Sequence, residues 1–281
     1  MFLFPAGTVT VIIRRQTLFA LGFILSLTLY TVWIERVERD LYGVKPGVTV
    51  EGIDLSYYLP EEVEVILREL ALKHRQMPVN PFFDKQTGEL LPERNGYEVN
   101  IEASMASILA AGPGQKVPLV YKVIRPQYTT KDLEKIDYQL GYFHTWGYGS
   151  GGRWQNIKLA CKSCNNTIIW PGKVFSFNEV VGPRTPERGY EIAPIIGGMD
   201  TGGGVCQVAT TVFNAALKAG LPILERHPHS KPVPYVAPGK DATVSYNHFD
   251  LKFKNDREYP IMLKAGVEKG KIYAYILGKR E

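Results

Sequence analysis

The first pattern along the chain is an apolar run without a single charge, QTLFALGFILSLTLYTVW over 16–33, extended by Ile34. Its length approaches the ~20 apolar residues that cross a bilayer. Arg14 and Arg15 stand just before it, and the far flank, 35–40, carries both signs of charge. The positive-inside bias therefore predicts a cytoplasmic tail over 1–15, a transmembrane anchor over 16–34 and an extracytoplasmic location for everything after it; Tyr30 and Trp33 suit the far interface. A cleaved signal peptide is the competing reading. Against it, the run is longer than a usual signal core and no small-x-small site follows.

After a juxtamembrane linker over 35–45, the pattern turns to short alternations of strand and helix. Val48-Thr49-Val50 and Ile53 predict a strand. Pro60 opens a helix with Glu61 and Glu62 in its first turn, and Val63, Ile66, Leu67 and Leu70 give it one apolar stripe. Phe82-Phe83 and Leu90-Leu91 flank DKQTGE, a hairpin pattern. Asn100 caps a second short helix that Gly112-Pro113-Gly114 ends, and 117–124 reads as one strand. Together these predict a small α+β domain over 46–127.

A second domain is expected over 138–281. A helix over 153–165 precedes PGKVFSFN, a turn and strand at 171–178. Farther on, GGMDTGGGVCQVATTVFNAALKAGLPI occupies 197–223, and 223–225 reads as a strand. Val208, Ala209, Val212, Phe213 and Ala216 predict an amphipathic helix stopped by Gly220 and Pro222. Few helices and many short strands, with no strand–helix alternation, give a mixed α+β fold class throughout.

Composition narrows the function. The net charge of +5 is spread thinly over 281 residues, which fits a protein near an anionic membrane or wall. No Lys/Arg block interleaves with aromatics, so nucleic acid is not an expected partner. Three cysteines, Cys161, Cys164 and Cys206, cannot all pair within one chain. A thiol kept outside the cytoplasm risks oxidation, so Cys206 needs burial or chemistry to explain it.

Several linked strings carry a resemblance: VGPRTPERGY at 181–190, API at 193–195, GGGVCQ followed by T-x-x-x-N-A-A, ERHPHS at 225–230, YVAPGKDATV at 235–244 and DLKFKN at 250–255. In this order they are similar to the VanW family across about the last half of the chain. The resemblance implies a bacterial cell-envelope setting and an association with vancomycin resistance clusters; it implies no particular reaction. VTVEGIDLS and NGYEVNIEAS in 46–127 resemble a small wall-associated domain found before such domains, with a ligand-free spacer as the alternative. Cys161 and Cys164 depart from the pattern expected of that helix. A redox pair or zinc ligands would use CxxC, but their place on one helix face favours two small buried side chains.

Cys206 falls at a helix start, just after Gly202-Gly203-Gly204. Free amides and the positive end of the dipole there favour a thiolate, and the amide of Gln207 is a candidate oxyanion donor. His229 is the candidate base and Asp241 its orienting carboxylate, with His248 a weaker alternative base; Gly203, Gly204, Gln207, Arg226 and His227 are candidate ligand-binding residues. Cysteine, then histidine, then aspartate resembles the order in papain-like and transglutaminase-like thiol enzymes. The alternatives are a tight structural turn with a buried Cys206, and zinc held by Cys206, His227 and His229. No metal or other cofactor is expected. Two functions remain open: a cysteine acyl transferase or hydrolase on peptidoglycan peptides, and a non-catalytic module that binds peptidoglycan or its precursors along Trp146, Tyr148, Trp154 and Tyr190.

Overall fold

A computed structural model describes residues 15–280 apart from 86, 135 and 150, with the backbone alone for 15–22. The chain forms two units. One comprises Met1–Met77 and Asn95–Ile124, the other Pro78–Arg94 and Arg125–Glu281.

In the first unit a 28-residue helix, Arg15–Tyr42, exposes its apolar side chains from Phe23 to Ile34. Among the described residues no helix is long and apolar enough to cross a membrane. The expected anchor over 16–34 begins in 16–22, whose side chains lie outside the described residues. The strand Thr49–Val50 pairs antiparallel with Ile53–Asp54 and parallel with Lys116–Val117. The helix Pro60–His74 starts at its proline, as the pattern predicts. The Glu62 carboxylate accepts from the Leu59 amide at 2.9 Å and from Arg39 at 2.7 Å, and Arg39 holds its carboxyl down to about 2. Val63, Leu67 and Leu70 are buried. Asn100 caps Ile101–Leu109 by accepting from the Ala103 amide.

The single strand expected over 117–124 is instead two, Lys116–Val117 and Tyr121–Ile124, in different sheets. Pro118 lies between them and has no N–H for a continuous ladder.

The second unit is built on antiparallel pairing. Its main sheet has the order Tyr138–Trp146, Lys271–Gly278, Ile261–Glu268, Thr167–Ile169. A smaller one joins Val174–Ser176, Lys252–Lys254 and Ile223–Glu225. The hairpin pairs Ile192–Ile195 with Gly198–Thr201 and Phe82–Phe83 with Leu90–Leu91 complete its sheets. The three long sheet strands Tyr138–Trp146, Ile261–Glu268 and Lys271–Gly278 were not expected from the pattern. In the C-terminal two, inward positions such as Leu263, Ala265, Ile272, Ala274 and Ile276 alternate with half-exposed ones, a period-2 signal that could have been read.

The helix Val205–Lys218 packs across the main sheet, against Tyr138–Trp146 and Lys271–Gly278 on one side and the helix Gly152–Cys164 on another. The apolar stripe expected from the pattern is buried, and polar residues of the other face, Gln207, Thr210, Thr211 and Asn214, are buried too. Thr211 bonds Thr145 at 2.9 Å. Thr210 accepts from the Ala242 amide at 2.9 Å, and Asn214 donates to the carbonyls of Thr210 and Lys240. Buried polar groups are tolerated when each finds a partner, so this helix can be enclosed on every side.

Candidate functional site

Residues 202–204 form the turn that delivers Cys206. Gly202 and Gly204 have φ of +89° and +107°, where side chains are strained. A Cβ on Gly203 would lie 2.5 Å from the Ala193 carbonyl oxygen, so that position needs glycine for close approach. The Asn156 side chain fastens the turn by donating to the Gly203 and Glu191 carbonyls at 3.0 and 2.8 Å. Val205 is the first residue of the helix and Cys206 the second.

Cys206 lines a cavity of about 940 Å³. Its walls include Tyr148, Arg153, Arg184, His229, Tyr235 and Tyr246. The sulfur donates to the Val244 carbonyl at 3.4 Å, a bond only the thiol can make. The expected thiolate is corrected here. Burial pushes the thiol up, and the opposing pull of the Arg184 and Arg153 guanidiniums does not overcome it.

His229 also lines the cavity. Asp241 holds it twice, by its ring Nδ1 at 2.7 Å and by its backbone amide at 2.6 Å. A carboxylate only accepts, so Nδ1 carries the proton and Nε2 is the nitrogen free to take one. Burial alone would raise the Asp241 carboxyl; the His229 amide and ring together hold it below its ordinary value. Arg226 lies behind this pair. It donates to the Asp241 backbone oxygen at 2.6 Å and to its carboxylate at 2.9 Å, and it is not among the cavity-lining residues. The structure thus brings Asp241, His229 and Arg226 into one network and puts Cys206 and His229 on one cavity.

Other candidates are placed elsewhere. His227 pairs with Glu225 at 3.0 Å, lies tilted against the Phe249 ring at 4.7 Å and does not line the cavity. Neither does His248, whose amide donates to the Ser245 carbonyl. The Gln207 amide donates to the Gly204 carbonyl at 3.0 Å, so it is not free as an oxyanion donor. The Gln207 side chain is wholly buried. It accepts from Arg153 at 2.9 Å and donates to Thr145 and the Trp146 carbonyl. Gly204 lines the cavity and Gly203 does not. Among the described residues no group of three or more His, Cys, Asp or Glu side chains is placed to hold a metal ion. Cys161 and Cys164 are free thiols enclosed in the core, where burial pushes Cys164 up to about 12.

Of the aromatic residues named from sequence, Tyr148 alone lines the cavity. Trp146 is exposed on the sheet and Tyr190 is in the core. Sequence reasoning missed Tyr235, whose ring stacks near Tyr148 at 6.2 Å, and Arg184, which sits inside the string VGPRTPERGY. A charged residue amid glycine and prolines was the available signal for Arg184.

Residues 152–277, which contain every one of these cavity residues except Tyr148, match the family described as VanW like protein. The chain is 38% identical over 233 residues to YoaR of Bacillus subtilis, covering 77% of each chain. It is 30% identical over 135 residues to the vancomycin B-type resistance protein VanW of Enterococcus faecalis, covering 45% of this chain and 49% of that one. No solved structure matches the chain at a significant level. The match over the cavity-bearing domain, with relatives extending beyond it, establishes that this chain belongs to the VanW family.

Proposed function

We propose that this chain is a Cys206-dependent acyl transferase or hydrolase acting on peptidoglycan peptides, held at the outer face of the membrane by its N-terminal helix. The observation that carries the reading is one cavity lined by both Cys206 and a His229 whose Nδ1 is fixed by Asp241. In the proposed step Nε2 of His229 takes the thiol proton. The sulfur attacks a peptide carbonyl carbon, the C–S bond forms, and the C–N bond breaks as the amine leaves with the proton from His229. A second amine, or water, then attacks the thioester and releases the thiol. The raised thiol fits a mechanism in which the proton leaves only when a substrate is present to be attacked.

The envelope setting is supported by membership of the VanW family and by the likeness to a vancomycin B-type resistance protein. Membrane attachment is supported by the uncharged stretch after Arg14 and Arg15, and by the exposed apolar side chains from Phe23 to Ile34, which water would not favour. Protease added to wall-permeabilised cells should remove the C-terminal domain; full protection would refute that topology.

A second reading, a peptidoglycan-binding module without chemistry, is favoured by the bond from the Cys206 thiol to the Val244 carbonyl, which suits a structural cysteine. The two are separated by mass spectrometry of the chain incubated with a synthetic stem peptide. A covalent adduct on Cys206, absent in Cys206→Ala and His229→Ala, supports catalysis. Binding without any adduct or product supports the module.

A further inference from the structure

Arg184 is one of the residues that line the Cys206 cavity. Among the described residues, both of its terminal nitrogens are enclosed by protein and neither has a hydrogen-bond partner. Its neighbours are aromatic: the guanidinium carbon lies 5.7 Å from the Phe177 ring centre and 6.0 Å from that of Tyr246. Cation–π contact offsets only a small part of the cost of taking a charge out of water. The base of the arginine side chain is closely packed. Gly202 lies against its Cβ and Cγ, so close that a Cβ on Gly202 would approach both to 2.9 Å.

The second cation of the cavity is arranged differently. Arg153 is buried, with its terminal nitrogens donating to the Gln207 side chain at 2.9 Å and to the Pro194 carbonyl at 3.4 Å, and its guanidinium over the Tyr148 ring at 4.1 Å. Its Nε has no partner among the described residues. The carboxylate among the lining residues, that of Asp200, is exposed on the strand Gly198–Thr201 and accepts from its neighbouring amide, that of Thr201. The buried Asp250 carboxylate favours the Arg184 charge electrostatically, but it is taken up by the Ser176 hydroxyl and the Asn178 and Leu251 amides, and among the described residues no carboxylate is hydrogen-bonded to either guanidinium. Two parallel N–H donors in a fixed plane match a carboxylate, and a buried unpaired cation is retained where a ligand supplies its counter-charge.

We infer that Arg184 binds a carboxylate of the peptide substrate, beside the carbonyl presented to Cys206, with Arg153 adding to the positive field. This deepens the reading of the cavity as a peptide site and shares its location, yet it does not depend on thiol chemistry. Arg184 and Cys206 also feel each other electrostatically, which agrees with a carboxylate bound close to the reacting atoms.

The test is calorimetric binding to the full chain carrying Cys206→Ala, where no turnover can confuse the result. The probe is a synthetic peptidoglycan stem peptide with one terminal and one side-chain carboxylate. Two further forms have one or the other carboxylate converted to amide. We expect one of the two amidated forms to bind about tenfold or more weakly than the parent, and that form identifies which carboxylate is held. With Arg184→Gln added, parent and amidated forms should bind alike. Equal binding of all three peptides to the Cys206→Ala chain would overturn the inference, and so would no binding of the parent. A preference that survives in Arg184→Gln would also overturn it. The three-peptide comparison needs no arginine variant, so it remains decisive if Arg184→Gln fails to fold. Loss of the thiol adduct reading would leave these outcomes unchanged.

Discussion

The Asp241 carboxylate grips His229 at two points, ring Nδ1 at 2.7 Å and backbone amide at 2.6 Å, while Arg226 donates to the same residue from behind. One short side chain thereby sets the tautomer of the histidine, the path of its backbone and the position of a cation. Asp241→Asn keeps the shape but loses the charge and presents an amide donor to Nδ1–H or to Arg226. It should lower stability by about 1–3 kcal/mol and lower the rate of adduct formation on Cys206 as well. A variant with unchanged melting temperature and unchanged adduct rate would contradict the network.

The same carboxyl predicts a pH dependence. Its value is depressed in the folded chain, so it contributes stability that is fully present above the ordinary aspartate value of ~3.9 and is lost as pH falls through its own lower value. Urea midpoints measured across this acid range should fall more steeply for the natural chain than for Asp241→Asn. Parallel curves would show that Asp241 gains nothing from His229.

Thiol labelling should distinguish the three cysteines. Burial raises Cys206, so alkylation of the folded chain should be slow at neutral pH and rise only above the ordinary thiol range of ~8.5. Cys161 and Cys164 are enclosed in the core and should label only on unfolding. Fast labelling of Cys206 at pH 7, read by peptide mass spectrometry, would argue for a thiolate in the resting state.

At Gly203 an added methyl would meet the Ala193 carbonyl at 2.5 Å, whereas at Gly198 nothing lies within 4 Å. Gly203→Ala should therefore cost about 1–3 kcal/mol, since backbone must move, and displace Cys206 from its cavity wall. Gly198→Ala, in the neighbouring hairpin, should be nearly neutral. Equal melting temperatures for the two variants would remove the close-approach argument.

Much of the local structure was legible in the chain. Pro60 with two acids marked one helix start, Asn100 another, and the glycine run before Cys206 a third, because caps and backbone freedom act over three or four residues. The mixed α+β class followed from the same short-range signals. His229 and Asp241, twelve residues apart, could be nominated together, and Cys161 and Cys164 could be read as small core residues from their spacing on one helix.

Tertiary structure decided what depends on solvent and on distant neighbours. Whether Cys206 is ionised turns on burial, in a cavity whose walls include Val244 and Tyr235 from farther along the chain. The Gln207 amide was claimed by Gly204, and its side chain by Arg153 and Thr145, 54 and 62 residues away. In sequence Arg184 is marked only as a charged residue amid glycine and prolines. Only the fold, by removing water from its guanidinium and leaving its terminal nitrogens without a hydrogen-bond partner among the described residues, makes it a candidate for holding a ligand. Helix starts are fixed by neighbours in sequence; desolvation is fixed by whatever the whole chain brings around a group, and no local pattern records it.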